Sequence, residues 1–310
     1  MRDGSPTTFA LTVDIEGEWI ELPGEQGTFD LNRIIDAVHN LERLLERIES
    51  EIGVRIPVTW FIRCDDSVAA TTGDASGLLR SLDSFIQRRA RIGDGFGLHP
   101  HFYCLSQGRW SSETRPDKQL EQLERAAHAW KSYFGSMPLV SRMGEALMNN
   151  TLAAGLSKLG IEIDSSALPS RKRSDSGFQF DWSSTPAMPY RPALDDYRRP
   201  AVEGQPCQRF IEIPFSMLPI NGPQDDHPIM RYCNLAFRPE LVKSAAENMD
   251  APKNVIAVVH PHELMLSRHE HPIIAHKPDA LEQNIANLER IFGNLKFSLL
   301  TDVVAPNSCE

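Results

Sequence analysis

The sequence predicts an α/β protein built from parallel strands around a central sheet or barrel. Short apolar, β-branched segments alternate with helical ones about seven times along the 310 residues. No internal repeat and no linker divides the chain, so residues 1–310 read as a single domain, a common size for α/β barrels. Polar, chemistry-bearing residues gather where these strands end, which in a parallel barrel is the catalytic face.

Thr8 to Asp14 is a buried strand, followed by an amphipathic helix from Asp30 to Ile52. That helix places Ile34, Val38, Leu41, Leu45 and Ile48 on one face, with Asp30 as N-cap. Ile56 to Ile62 is the next strand, Gly77 to Arg91 a helix, and Phe96 to His99 a strand. A long helix spans Asp117 to Phe134, and Leu139 to Arg142 is extended. Asn149 to Leu159 is helical and stops at Gly160, a suitable C′ residue; Ile161 to Asp164 is the strand after it. Ser165 to Gln208 shows no sustained period and reads as a long irregular insertion, a length uncommon unless functional. Phe210 to Pro214 and Asn254 to His260 are strands, Pro239 to Met249 and Ala280 to Phe292 helices, and Leu295 to Leu300 a last strand.

A formal net charge of −10 argues against nucleic acid as a partner, since phosphate-backbone binding needs clustered Lys and Arg. The five cysteines are scattered without a CxxC pair, which fits free thiols in a reducing compartment. No apolar run approaches the ~20 residues that span a bilayer, and the first residues do not read as a signal peptide. A cytoplasmic location is the expectation.

Two segments carry the chemistry. Thr12-Val13-Asp14-Ile15-Glu16 ends a strand in alternating carboxylates, and Gly97-Leu98-His99-Pro100-His101 ends another in alternating histidines. Side chains alternate along a strand, so each pair shares one face. Facing each other, the two segments assemble a general base and a site for a divalent metal, zinc above all, whose catalytic form takes imidazole and carboxylate ligands. Glu18 competes with Glu16 for the metal, and His269, His271 and His276 read as a solvated loop rather than a further metal site. Arg171, Lys172, Arg173, Arg191, Arg198 and Arg199 give the insertion a local positive balance, suited either to solvent or to a carboxylate or diphosphate. Trp182 and Tyr190 suit stacking on a ligand ring or pinning the loop to the barrel.

These motifs resemble those of the polysaccharide deacetylase superfamily (NodB homology, carbohydrate esterase family 4), over Thr8 to about Leu300. The first segment is similar to the family's first motif, and Val58-Thr59-Trp60-Phe61 to its second strand. The second segment stands where the family places two metal histidines, here two residues apart rather than four. The first-motif ligand is Glu16 rather than Asp, displaced by one residue. Ser141-Arg142-Met143-Gly144 resembles the motif whose Arg pairs with the base. Leu159 to Ser166, Ile211-Glu212-Ile213-Pro214 and Val258-Val259-His260 resemble later strands. The stretch Asp181-Trp182 to Pro189-Tyr190-Arg191-Pro192 is shared with a bacterial branch associated with O-antigen and capsule assembly.

The resemblance implies a distorted parallel (β/α)7 barrel and metal-dependent removal of an N-acyl group from a sugar. It implies Glu16, His99 and His101 as ligands of Zn²⁺ or a similar ion, Asp14 as base, Arg142 as its partner and His260 as acid, with His262 competing for that last role. A backbone N–H near Gly144 or Glu145 would face the oxyanion, and Trp182, Tyr190 and Arg191 would bind substrate. Asp65 and Asp164 read as supporting groups. Two other readings stay open: a cyclic amide or ureide hydrolase on the same fold, and a non-catalytic glycan-binding relative.

Overall fold

The computed structural model describes residues 6–17, 30–174, 179–267 and 270–303. Glu18, His269 and Cys309 lie outside them. Strand β1 (Thr7–Ile15) is followed by α1 (Leu31–Ile52), β2 (Val58–Ile62), α2 (Asp66–Thr72), α3 (Gly77–Ser81), α4 (Asp83–Arg91) and β3 (Gly95–Leu98). A hairpin of β4 (Tyr103–Ser106) and β5 (Arg109–Ser112) precedes α5 (Pro116–Phe134), β6 (Val140–Ser141), α6 (Asn150–Leu159) and β7 (Ile163–Asp164). Next come β8 (Lys172–Ser174), β9 (Gln179–Asp181), β10 (Ile211–Glu212), β11 (Met217–Ile220) and β12 (Ile229–Tyr232). The chain ends with α7 (Pro239–Glu247), β13 (Asn254–Val259), α8 (Asp279–Phe292) and β14 (Leu295–Phe297).

The main sheet is parallel throughout, in the order β10-β7-β6-β3-β2-β1-β13, with β14 pairing the start of β1. No ladder joins β10 to β13. The gap is crossed irregularly: Ser216 N–H donates to the Ile256 carbonyl at 3.2 Å, and Val258 N–H to that of Cys233 at 2.9 Å. This is the distorted (β/α)7 barrel. Alternation sorts its residues. Phe9, Leu11 and Val13 point outward to the helices, in a core that includes Ile34, Val38, Leu41, Leu45 and Ile48 of α1. Ala10 points inward, meeting Phe61, Val140, Ile163, Ile213, Ile256 and Leu300 in a small inner core. Thr12 and Asp14 share Ala10's face and continue the interior upward.

Several elements differ from expectation, the unexpected β4–β5 hairpin and β11–β12 pair among them. The helix expected over 77–91 is two, broken at Leu82, where ψ is 10° and the side chain is 1% exposed. Asp65 opens α2, which periodicity did not show: its carboxylate accepts from Ser67 and Val68 N–H. The 165–208 insertion is not wholly irregular, since β8 and β9 pair antiparallel within it. No described helix is long and apolar enough to cross a membrane.

Candidate metal centre

The upper ends of β1, β3, β6 and β13 bring Asp14, Glu16, His99, His101, Arg142 and His260 to one cavity of about 540 Å³, a size suited to a small-molecule site. Asp14 continues the inward face of β1, and Glu16 follows two residues on, just past the strand. His99 follows β3 directly, and its N–H still donates to the Ile62 carbonyl at 3.0 Å. His101 is held separately, its N–H donating to Asp65 Oδ2 at 3.2 Å. Arg63 outweighs the effect of burial on Asp65 and pulls its carboxyl down to about 2.

The hydrogen bonds fix both histidine tautomers. The Nδ1 of His99 faces the Arg142 carbonyl at 2.8 Å, which only accepts, so that nitrogen carries the proton. Tyr103 gives its hydroxyl proton to Glu145 Oε1 at 3.1 Å, so its oxygen accepts from His101 Nδ1, also at 3.1 Å. Both Nε2 atoms therefore present lone pairs. They lie 3.3 Å apart, with Glu16 Oε2 at 3.4 Å from His99 and 2.9 Å from His101. Burial, followed by the charge of Arg63, holds His101 down to about 4, which keeps it neutral.

With both rings neutral, three acceptor atoms thus converge with no proton between them. That arrangement repels itself unless a cation stands at its centre. Bonds of about 2.0–2.1 Å in a tetrahedral shell place ligand atoms about 3.3 Å apart, close to the observed spacings. The donor set fits a divalent metal, and Glu16, His99 and His101 are the only such group among the described residues. Gly144 makes room for it: a Cβ there would stand 2.3 Å from His101 Cδ2.

Asp14 is buried beside the cluster. Arg142 Nη1 donates to its Oδ1 at 2.7 Å and to Thr12 Oγ1 at 2.8 Å, while Nε donates to the Ser165 carbonyl at 2.8 Å. The guanidinium lies between the rings of Phe61 and Phe215, each centroid 4.2 Å away. Opposite, His260 Nε2 stands 3.3 Å from Glu16 Oε1 and 3.8 Å from Asp14 Oδ2. Its Nδ1 faces Glu263 Oε2 at 2.9 Å, and Asn234 Nδ2 donates to that same oxygen at 2.7 Å. Burial opposes protonation of His260, but Glu263 and Glu16 prevail and push it up to about 10. A dication beside Glu16 would offset part of that rise.

The other expected site residues are elsewhere. Trp182 is fully buried, donates from Nε1 to the Ala146 carbonyl at 2.8 Å and packs on Tyr197, so it pins the insertion to the barrel. Tyr190 exchanges backbone bonds with Glu212 and donates its hydroxyl to the Tyr197 carbonyl at 2.8 Å. Arg191 donates to the Arg209 carbonyl at 2.6 Å. None of the three lines the cavity; Leu168, Arg171, Arg173 and Phe180 of the insertion do. His262 lines it too, its ring centroid 5.8 Å from that of His260. His271 is half-buried against the cavity rather than solvated, its Nδ1 accepting from Ile273 and Ile274 N–H at 3.2 and 3.0 Å.

Sequence reasoning gave no role to Tyr103 or Glu263, and considered only the backbone of Glu145. Glu263 alone left a signal, three residues beyond His260 and within reach across a turn. Asp164 supports from below: it accepts from Ser141 Oγ at 3.0 Å and Ser166 Oγ at 2.6 Å, and Ser166 Oγ accepts from Met143 N–H. Among the described residues Cys64, Cys104, Cys207 and Cys233 are free thiols.

No family model matches the sequence, and no curated protein is similar to it. Solved structures are similar in fold. A candidate polysaccharide deacetylase from Mycobacterium smegmatis is 16% identical over 98% of this chain and 90% of its own, with a TM-score of 0.50. A candidate glycoside hydrolase/deacetylase from Parabacteroides distasonis is 11% identical over 94% of this chain and 69% of its own, at 0.60. A candidate polysaccharide deacetylase from Pseudomonas aeruginosa PAO1 is 12% identical over 96% and 89%, at 0.51. At these identities the likeness carries the fold.

Proposed function

We propose that the whole chain is one catalytic domain, a metal-dependent deacetylase that hydrolyses the N-acyl group, N-acetyl above all, of a sugar. The observation that carries this reading is the convergence of proton-free Glu16, His99 and His101 atoms beside an arginine-braced carboxylate and a histidine. The names of the fold neighbours, candidate deacetylases, agree with it.

A divalent ion held by Glu16, His99 and His101, zinc by the type of its ligands, supplies Lewis acidity and lowers the pKa of water. The chain's own residues do the rest. Asp14, oriented by Arg142, takes a proton from the attacking water. The water oxygen joins the acyl carbon, the C–N bond breaks, and His260 gives the leaving nitrogen a proton. The products are a carboxylic acid and a free amine. Asp14 Oδ2 and His260 Nε2 are 3.8 Å apart, so base and acid flank one point. Gly144 N–H is committed to the Pro100 carbonyl at 2.9 Å, which leaves Glu145 N–H for the oxyanion. The link to O-antigen or capsule assembly rests on the sequence resemblance of residues 181–192 alone.

The test is metal analysis of the purified protein together with acetate release from N-acetylated amino sugars. Retained divalent ion and metal-dependent release are expected. A protein that binds no divalent ion and gains no thermal stability from zinc overturns the reading.

A further inference from the structure

Tyr103 and Glu145 stand between two cavities: both line the metal-centre cavity and an adjoining one of about 350 Å³. Tyr103 opens β4 and is buried, and its carbonyl accepts from Gln122 Nε2 of α5 at 2.6 Å. Its ring packs beside that of His101, with centroids 5.4 Å apart. From there its hydroxyl oxygen meets His101 Nδ1 and its proton goes to Glu145 Oε1, each at 3.1 Å.

Glu145 reaches that position with a left-handed backbone. Its φ and ψ are 55° and 20°, and φ of Ala146 is 53°. Among the described residues these are the only two consecutive non-glycine residues in that region. Such a conformation is unfavourable for a residue with a Cβ and persists where its surroundings hold it. Gly144 N–H donates to the Pro100 carbonyl at 2.9 Å, Leu147 N–H to that of Gly144 at 3.1 Å, and Trp182 Nε1 to that of Ala146 at 2.8 Å. The first of these bonds ties the turn to the loop that carries His101. None of them needs a carboxylate at position 145, where glycine would adopt the same backbone without strain. What glutamate adds is its contact with Tyr103.

We infer that Tyr103 and Glu145 are positioning residues for the metal, and that the left-handed turn is kept because it delivers the carboxylate to the tyrosine. Glu145 draws the tyrosine proton, the tyrosine oxygen holds the Nδ1 proton of His101, and Nε2 is left to bind the ion. A partner of this kind orients a ligating histidine and raises its basicity. His99 has the neutral Arg142 carbonyl in the same place, so the two histidines are held by different devices, and that of His101 ends in a carboxylate. The inference rests on the metal centre of the deacetylase reading and not on the hydrolysis.

The test is zinc affinity by competition with a chelator, with the visible spectrum of the cobalt(II)-loaded protein reporting ligand geometry. Tyr103→Phe, which keeps the ring and removes the oxygen, should weaken zinc binding by about 10–100-fold and alter the cobalt spectrum. Glu145→Gly, which relieves the backbone but removes the carboxylate, should do the same. Glu145→Gln, whose amide oxygen still accepts from the tyrosine, should restore most of the affinity. Because the first two changes break one chain of hydrogen bonds, combining them should weaken binding little beyond either alone. Unchanged affinity and spectrum in Tyr103→Phe, or losses that multiply in the double variant, overturn the pairing. Acetate release is scored separately. Release by the wild type, with zinc affinity indifferent to both substitutions, keeps the deacetylase reading and removes the pairing. Affinity that depends on both residues, without release from any N-acetylated sugar, does the reverse.

Discussion

Arg142, at the end of β6, reaches across the barrel to Asp14 on β1, 128 positions earlier, and holds its carboxylate at 2.7 Å, the guanidinium itself lying between two aromatic rings. Both partners are buried, so removing one leaves the other charge uncompensated. Arg142→Met should destabilise the protein by roughly 3–5 kcal/mol in denaturant unfolding. Adding Asp14→Asn should recover part of that loss; a double variant no more stable than the single one would show that the pairing is not what Arg142 provides.

Asp14→Asn by itself should lower hydrolysis by about 10²–10⁴-fold, the usual range for a general base, with metal content unchanged. Metal analysis alongside the rate decides the role. Loss of the ion would make Asp14 a ligand.

Gly144→Ala should act through the metal centre. The added methyl must displace the His101 ring, its nearest atom being 2.3 Å away. Metal affinity, measured by competition with a chelator, should fall by about 10–100-fold, as when a ligand's orientation is lost. Unchanged affinity would remove His101 from the ligand set.

His260→Ala should slow hydrolysis by about 10²–10⁴-fold without altering metal content. Glu263→Gln, which replaces a carboxylate acceptor at Nδ1, should slow it less. A near-wild-type rate for His260→Ala would transfer the acid role to His262.

Asp164 and Glu212 give a stability prediction away from the metal. Burial raises both carboxyls, Asp164 to about 6 and Glu212 well above its ordinary value. Glu212 Oε1 accepts from Ser166 and Ala167 N–H at 3.0 and 2.9 Å, which leaves its other oxygen to carry the shared proton. Groups whose pKa rises on folding stabilise most below their unfolded value, and that contribution is lost as pH climbs through the folded value. Glu212→Gln keeps a donor but cannot ionise. Its unfolding free energy should therefore gain on wild type as pH rises above the ordinary carboxylate range; a constant difference would argue against a buried shared proton.

Strand ends were legible because their signal is local. A short apolar or alternating run followed by a polar residue marks both the strand and its catalytic end, as in Val255 to His260 and Leu11 to Glu16. The insertion misled for the converse reason. Aromatic residues in an aperiodic stretch look available to a sugar, yet Trp182 and Tyr190 spend their polar atoms on backbone carbonyls and their rings on packing. Tyr103 and Glu145 were silent because they meet only when the loop after β3 closes on the turn after β6.

The sequence by itself determined that helices and strands alternate, that Asp14 and Glu16 share a face, and that two histidines follow a strand near them. These follow from backbone geometry over a few residues. Tertiary structure alone decided that both Nε2 atoms meet Glu16 through one of its oxygens, that Glu263 stands at Nδ1 of His260, and that Arg171 rather than Arg191 faces the cavity. Those outcomes depend on strand order and barrel curvature, which bring together side chains whose separation in the chain carries no trace of the contact.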